Sequence, residues 1–244
     1  MKRYHLFNNI IGWLVGIAAC AVYIMTAEAT ASWWDCGEYI ATAIKLQVGH
    51  PPGAPTFQLL GCLFAMFSDP MDAARAVNIL SAVCSGLGIM FLYWTITLLG
   101  KLIIGEKNPK VSDWRTWAIF GSGIVGAMAY CFSDTYWFSA VEGEVYAMSS
   151  FFTAVVFWLI LKQSDDPRSL RWLILVSFLV GMAIGVHLLN LLTIPAIVYV
   201  VYFKKWKQTT VKGFIYSGII SVVLLAIVLY GIIPGVVNVS SAFD

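Results

Sequence analysis

Charge is what this 244-residue chain has least of. Asp, Glu, Lys and Arg make up 11% of it, against 60% apolar residues. A soluble domain runs near a quarter charged, so that class is excluded. The formal net charge of +2 gives no reason to expect a nucleic-acid partner. Cysteine is sparse too. Cys20, Cys36, Cys62, Cys84 and Cys131 lack metal or redox spacing, and an odd count argues against a disulfide framework. Repeats, low-complexity tracts and flexible linkers are missing. So is the alternating polarity of barrel strands.

What the chain has instead is long apolar runs, at about 9–29, 76–99, 116–133, 145–161, 170–186, 188–203 and 213–236. Only helices or closed barrels satisfy backbone groups in lipid, so the expectation is an all-α polytopic membrane protein of about seven transmembrane helices. The first run follows Lys2 and Arg3 like a signal peptide. At about 31 Å it is too long for one, has no cleavage site, and reads as a retained span. "GSGIVG" (121–126) matches a dinucleotide fingerprint, but it lies inside an apolar run with no preceding strand. Small residues there serve helix packing.

One run is ambiguous. "APTFQLLGCLFAMF" (54–67) is 14 residues long, short for a span and right for an interfacial or re-entrant helix with Phe57, Leu60, Phe64 and Phe67 toward lipid or protein. Charge decides. If it does not cross, segments 1–8, 100–115, 162–171 and 204–212 fall on one side and hold 13 of the 15 basic residues, all but Lys45 and Arg75. If it crosses, only Lys2, Arg3 and Arg75 stay inside. The positive-inside rule selects the first topology: an inside N-terminus and a long external loop at 30–75. Nine acids then lie outside: Glu28, Asp35, Glu38, Asp69, Asp72, Asp134, Glu142, Glu144 and Asp244. Acids contribute little to orientation, so a carboxylate-lined external site is one explanation.

The stretch "WWDCGEYIATAIKLQVGHPPGAP" (33–55) concentrates that chemistry. On a helix, Asp35 and Glu38 share a face. One reading is a capping box, with Asp35 as N-cap and Glu38 reaching back. The other is a catalytic carboxylate pair, one accepting a proton from an acceptor hydroxyl while its partner orients it or binds a cation. The prolines of "GHPPGAP" end the helix and fix His50 at a corner near the acids. Arg75 carries a donor fork suited to phosphate or carboxylate, or it snorkels at the interface. A second polar island, "SDTYWFSAVEGEVYAMSSFF" (133–152), sets Glu142, Glu144 and Tyr146 at the external end. Helix-start charge and an aromatic belt are the plainer readings. "GVHLLNLL" (185–192) adds His187 and Asn190 at an external hairpin, where ionisable groups are functional candidates.

The order of an inside N-terminus, one span, an external acidic loop, "HPP" before an apolar surface helix, and "AARAVNILSAVCSGLGIMFLYWTITLLG" resembles the GT-C membrane glycosyltransferases, notably the protein O-mannosyltransferases. "DCGEYIATAIKLQVGHPPGAPTF" more specifically resembles a bacterial family of undefined function related to transmembrane protein 260, itself similar to those enzymes. The resemblance implies a GT-C-like bundle forming the N-terminal portion of a larger fold, here one transmembrane domain over 1–244. It implies transfer of a mannose-like sugar, with inversion, from a polyprenyl-phosphate donor to a hydroxyl, on protein, at the external face of a bacterial inner membrane. It puts Asp35 at the first-loop catalytic acid. Glu38 stands three residues on, where the mannosyltransferases have adjacent acids, and this leaves open which is the base. His50, Arg75, Glu142, Glu144, Tyr146, His187 and Asn190 become donor- or acceptor-binding candidates. No cofactor is implied with certainty. A divalent cation bridging carboxylates and phosphate is an option, with no ligands assigned. The competing classes are a transporter or flippase for a lipid-linked substrate and a non-catalytic membrane subunit. Against transport, the acids cluster at one face and no broken midplane helices are evident.

Overall fold

The computed structural model describes residues 2–106, 109–162, 170–206 and 208–243, and no strand occurs among them. The 31-residue helix α4 (Ala73–Ile103) is the hub. Against it pack α1 (Lys2–Thr26), α5 (Trp114–Cys131) and α7 (Val145–Lys162), and at one end α2 (Cys36–Lys45), α3 (Pro55–Ala65) and α6 (Asp134–Val141). Then follow α8 (Leu170–Ile184), a 3-10 turn (Leu188–Leu192), α9 (Thr193–Lys205), α10 (Val211–Ala226), a π-turn (Ile227–Ile232) and α11 (Ile233–Ser241). Lys107, Arg168 and Lys207, counted in the charge asymmetry, lie outside the described residues, as does Asp244.

Among the described residues five helical stretches are long and apolar enough to cross a bilayer: Arg3–Thr26, Pro70–Ile103, Val145–Lys162, Leu188–Lys205 and Val211–Ser241. A sixth arises if α5 and α6, bent by 67°, count as one broken span. Within the polar island at 133–152, residues 134–141 fold into the helix α6. The run at 170–186 forms only 15 helical residues, about 22 Å at 1.5 Å per residue. Helix α3 is shorter still at 11 residues.

The hub accommodates α1 so closely because Gly86 faces Cys20. A Cβ there would lie 2.7 Å from the Cys20 backbone nitrogen. Gly123 of "GSGIVG" likewise sits against Tyr93 and Thr97 of α4, the close helix approach that small residues permit. One apolar core (Ile40, Phe57, Val77, Met148, Val186) joins α2 and α3 to α4, α7 and the end of α8. A second (Ala19, Tyr23, Ile89, Ala127, Tyr136) joins α1 to α4, α5 and α6. Phe57 is fully buried, Leu60 and Phe64 pack partly on the first core, and Phe67 is exposed. Thr56 bonds the end of α8 twice: its N–H donates to the Gly185 carbonyl at 2.9 Å and its hydroxyl to Met182 at 3.1 Å. These ties hold the α2–α3 loop over one end of the bundle, which makes a roofed cavity possible there.

Candidate active site

The roof begins after α1. The Glu28 N–H donates to the Val141 carbonyl at 3.0 Å, and the Asn78 amide donates to the Glu28 and Thr30 carbonyls at 2.8 and 2.9 Å. This fully buried asparagine of α4 steers the chain across α6. Trp34 follows with φ 60°, in the left-handed region that bulky side chains avoid. The residue is 88% exposed.

Asp35 then starts α2, but the capping box does not form. Its side chain caps nothing, and Glu38 turns to His50. The His50 N–H donates to Glu38 Oε1 at 2.6 Å, and His50 Nδ1 lies 3.1 Å from Oε2. The corner that presents His50 closes with Gly53, whose N–H donates to the His50 carbonyl and whose φ of 71° suits glycine. His50 Nε2 is left 3.9 Å from Asp35 Oδ2. The backbone and side-chain hydrogen bonds from His50 hold the Glu38 carboxyl below its ordinary value.

The second acid pair comes from below. Between α6 and α7 the chain passes Asn78 and Ile40 so tightly that a Cβ on Gly143 would meet them at 2.8 and 3.0 Å. That passage buries Glu142 and Glu144, which expose 2% and 5% of their surface. Burial raises both carboxyls. For Glu142 the Ser32 hydroxyl opposes the rise and Glu28 adds to it. For Glu144 the charges of Glu142 and Asp35 add to it, reaching about 7.

Asp35, His50, Glu142, Glu144, Tyr146 and His187 all line one cavity of about 340 Å³. The His187 and Tyr146 rings meet at 5.3 Å, and burial lowers the imidazole. Residues from α2, the proline corner, the α6–α7 turn and the end of α8 thus converge, though up to 152 positions apart in sequence. Glu38 does not line the cavity; it grips His50 from behind. Asn190 is elsewhere. It is buried, donates to Ser149 Oγ and to the Ala183 and His187 carbonyls, and accepts from Thr153. It clasps the 3-10 turn to α7. Arg75 is exposed, does not line the cavity, and has no ion pair among the described residues.

Sequence reasoning missed Trp34, Tyr39, Phe138 and Ser139 as lining residues. Tyr39 had a signal: four residues after Asp35, it falls on the same helical face. Burial and the Asp35 charge push its hydroxyl to about 12. Asn78 carried the weaker signal of a lone amide in an apolar helix.

One family model fits this arrangement: "Protein O-mannosyl-transferase TMEM260 N-terminal domain" matches residues 35–210. The chain belongs to this family. The TMEM260 match opens at Asp35 and takes in every cavity acid. Among curated relatives, protein O-mannosyl-transferase tmem260 of Dictyostelium discoideum is 28% identical over 148 residues, covering 60% of this chain and 16% of that protein. Protein O-mannosyl-transferase TMEM260 of Mus musculus is 23% identical over 189 residues, covering 78% of this chain and 24% of that protein. The matched region is thus a quarter or less of these TMEM260 relatives' length. No solved structure matches the chain.

Proposed function

We propose that this chain carries the acidic half of a GT-C glycosyltransferase site, moving mannose or a similar sugar from a polyprenyl-phosphate donor to a protein hydroxyl with inversion. The observation that carries the reading is the cavity in which exposed Asp35 faces buried Glu144. On the positive-inside reading of the basic loops this cavity lies outside, at the headgroup level where a lipid-borne phosphate would lie. In a bacterium that is the periplasmic face of the inner membrane. Family membership and the relatives' names supply the class of reaction.

The acceptor oxygen attacks the anomeric carbon, its proton passes to Asp35, and the bond to the lipid phosphate breaks with its electron pair going to the phosphate. Asp35 suits the base because its side chain is 60% exposed and commits to no cap. Glu38 suits a positioning role, since both its oxygens hold His50. Glu144, raised to about 7, is available as a neutral donor to a sugar hydroxyl or phosphate oxygen. Arg75 joins the donor phosphate only if later segments bring the two together.

A cation-assisted variant rests on one observation: ligand atoms of Asp35, Glu38 and His50 lie within 4.8 Å of one another. Carboxylates with an imidazole suit a divalent ion; bound there, it would stabilise charge on the departing phosphate. Chelator sensitivity restored by Mn²⁺ or Mg²⁺ tests it.

The reaction is tested with the full-length protein in membranes given polyprenyl-phosphate mannose and a hydroxyl-bearing peptide. Mannosylated peptide of inverted anomeric configuration is expected. Retained configuration, or equal transfer from a nucleotide sugar, contradicts the proposal. Lipid-linked sugar crossing the bilayer without transfer marks a flippase instead.

A further inference from the structure

Helix α4 begins beside the acid cavity and extends 31 residues, about 46 Å at 1.5 Å per residue. At its far end, α1, α4 and α7 enclose a second pocket of about 120 Å³. Trp94 and Trp158 line it with ring centres 5.6 Å apart, alongside Asn8, Asn9, Lys101 and Lys162. The Lys162 ammonium lies 4.3 Å from the Trp158 ring centre. Among the described residues no carboxylate lines the pocket and neither lysine has an ion pair. Asn8 lines it too, with its Oδ1 shut off from water.

Each lysine alone is explained by its place in the last turn of a helix, where cations are favoured. That does not explain two lysines converging on one small pocket walled by tryptophans. A ligand that answers them carries a phosphate. The position, a bilayer's width from the acid cavity, is the opposite headgroup level.

We propose that this pocket binds the headgroup of a glycerophospholipid, its phosphate between Lys101 and Lys162 and beside Asn8. The inference is independent of the transfer reaction and needs only a bilayer-spanning bundle.

The test is native mass spectrometry of the detergent-solubilised full-length protein titrated with phosphatidylglycerol. One lipid should bind more tightly than the rest. The double substitution Lys101→Gln/Lys162→Gln should weaken that first lipid about ten- to thirtyfold, the effect of two basic residues at a lipid surface. Asn8→Asp supplies an internal counter-ion for the lysines without removing either, and should weaken it comparably. Lys110→Gln, at an exposed lysine outside the pocket, should leave it unchanged. Millimolar inorganic phosphate distinguishes the sources: the lipid should survive it. Displacement of the lipid by phosphate would make this a free-phosphate site and overturn the lipid assignment. Equal loss in Lys110→Gln, or wild-type binding by Asn8→Asp, would overturn the site altogether.

Discussion

The two acid pairs look alike in sequence, D-x-x-E and E-x-E, each beginning a helix near aromatic residues, yet the fold treats them oppositely. Asp35 and Glu38 stand in the open, with side chains 60% and 40% exposed. Glu142 and Glu144 are buried beneath them. Hydrogen bonds from His50 lower Glu38, whereas burial and neighbouring charge raise Glu144 to about 7. Water and partners, not residue type, decide which acid gives up its proton. One cavity thereby holds an exposed carboxylate suited to accept a proton and a buried acid able to keep one, the pairing that acid–base chemistry at neutral pH requires.

The sharpest way to break this comparison is Asp35→Asn. Asparagine keeps the shape and the side chain caps nothing, so folding should be unaffected. Transfer should fall about 10²–10⁴-fold, the loss expected for a general base. Donor-to-peptide transfer, normalised to inserted protein, measures it; a rate within a few-fold of wild type would reduce Asp35 to a surface acid.

Glu38→Gln comes next. It weakens the grip on His50 without touching the cavity, and about a tenfold loss is expected, as for a displaced positioning group. If it exceeds the loss in Asp35→Asn, the base assignment moves to Glu38. Stability separates the acids further. The lowered Glu38 contributes stability that is present above its unfolded value of 4.5 and lost as pH falls through its folded value. Thermal unfolding below pH 4.5 should therefore show a smaller pH-dependence in Glu38→Gln.

Glu144→Gln tests the buried partner. Glutamine resembles the protonated acid, so the rate near neutrality should stay within about tenfold of wild type. The difference should lie in the pH profile. Wild-type transfer should decline as pH rises through about 7, where Glu144 ionises; the variant should lack that limb. The sign for stability is opposite to that of Glu38. A raised acid binds its proton more tightly when folded, so stability falls as pH climbs from 4.5 to about 7, and Glu144→Gln should flatten that slope. A declining limb that persists in the variant would assign it to another group.

Asn190→Ala should have the smallest effect on chemistry. It deletes the clasp between α7 and the 3-10 turn and should lower stability by about 1–3 kcal/mol, the cost of stranding buried partners. Transfer per folded molecule and its pH profile should not change. A raised KM with unaltered stability would instead restore Asn190 to substrate binding.

How much of this was legible beforehand differs by residue. Asp35, His50, Glu144 and His187 were visible as rare polar groups in an apolar chain, because such residues stand out where burial penalises them. Asn190 stood out equally but turned inward to satisfy four hydrogen-bond partners, and nothing local distinguishes a clasp from a ligand. Arg75 stood out as an external cation, yet in the first turn of α4 it is exposed and lies off the cavity. Trp34 gave no comparable signal, being one of two adjacent tryptophans.

Composition and hydropathy along the chain set the class and the chemistry available. Sixty per cent apolar residues in long runs admit a helical membrane bundle, and the charge shortage confines reactive groups to a few loops. The chain's match over 35–210 places it in the TMEM260 family. Which acids are wet and which are dry is set by the packing of distant segments. That packing also decided that Glu38 serves His50 rather than a cap, and that residues as distant as Asp35 and His187 share one cavity. The reason is physical. Helix periodicity and hydropathy are properties of neighbours along the chain, whereas a carboxyl's proton affinity depends on what the fold brings against it from elsewhere.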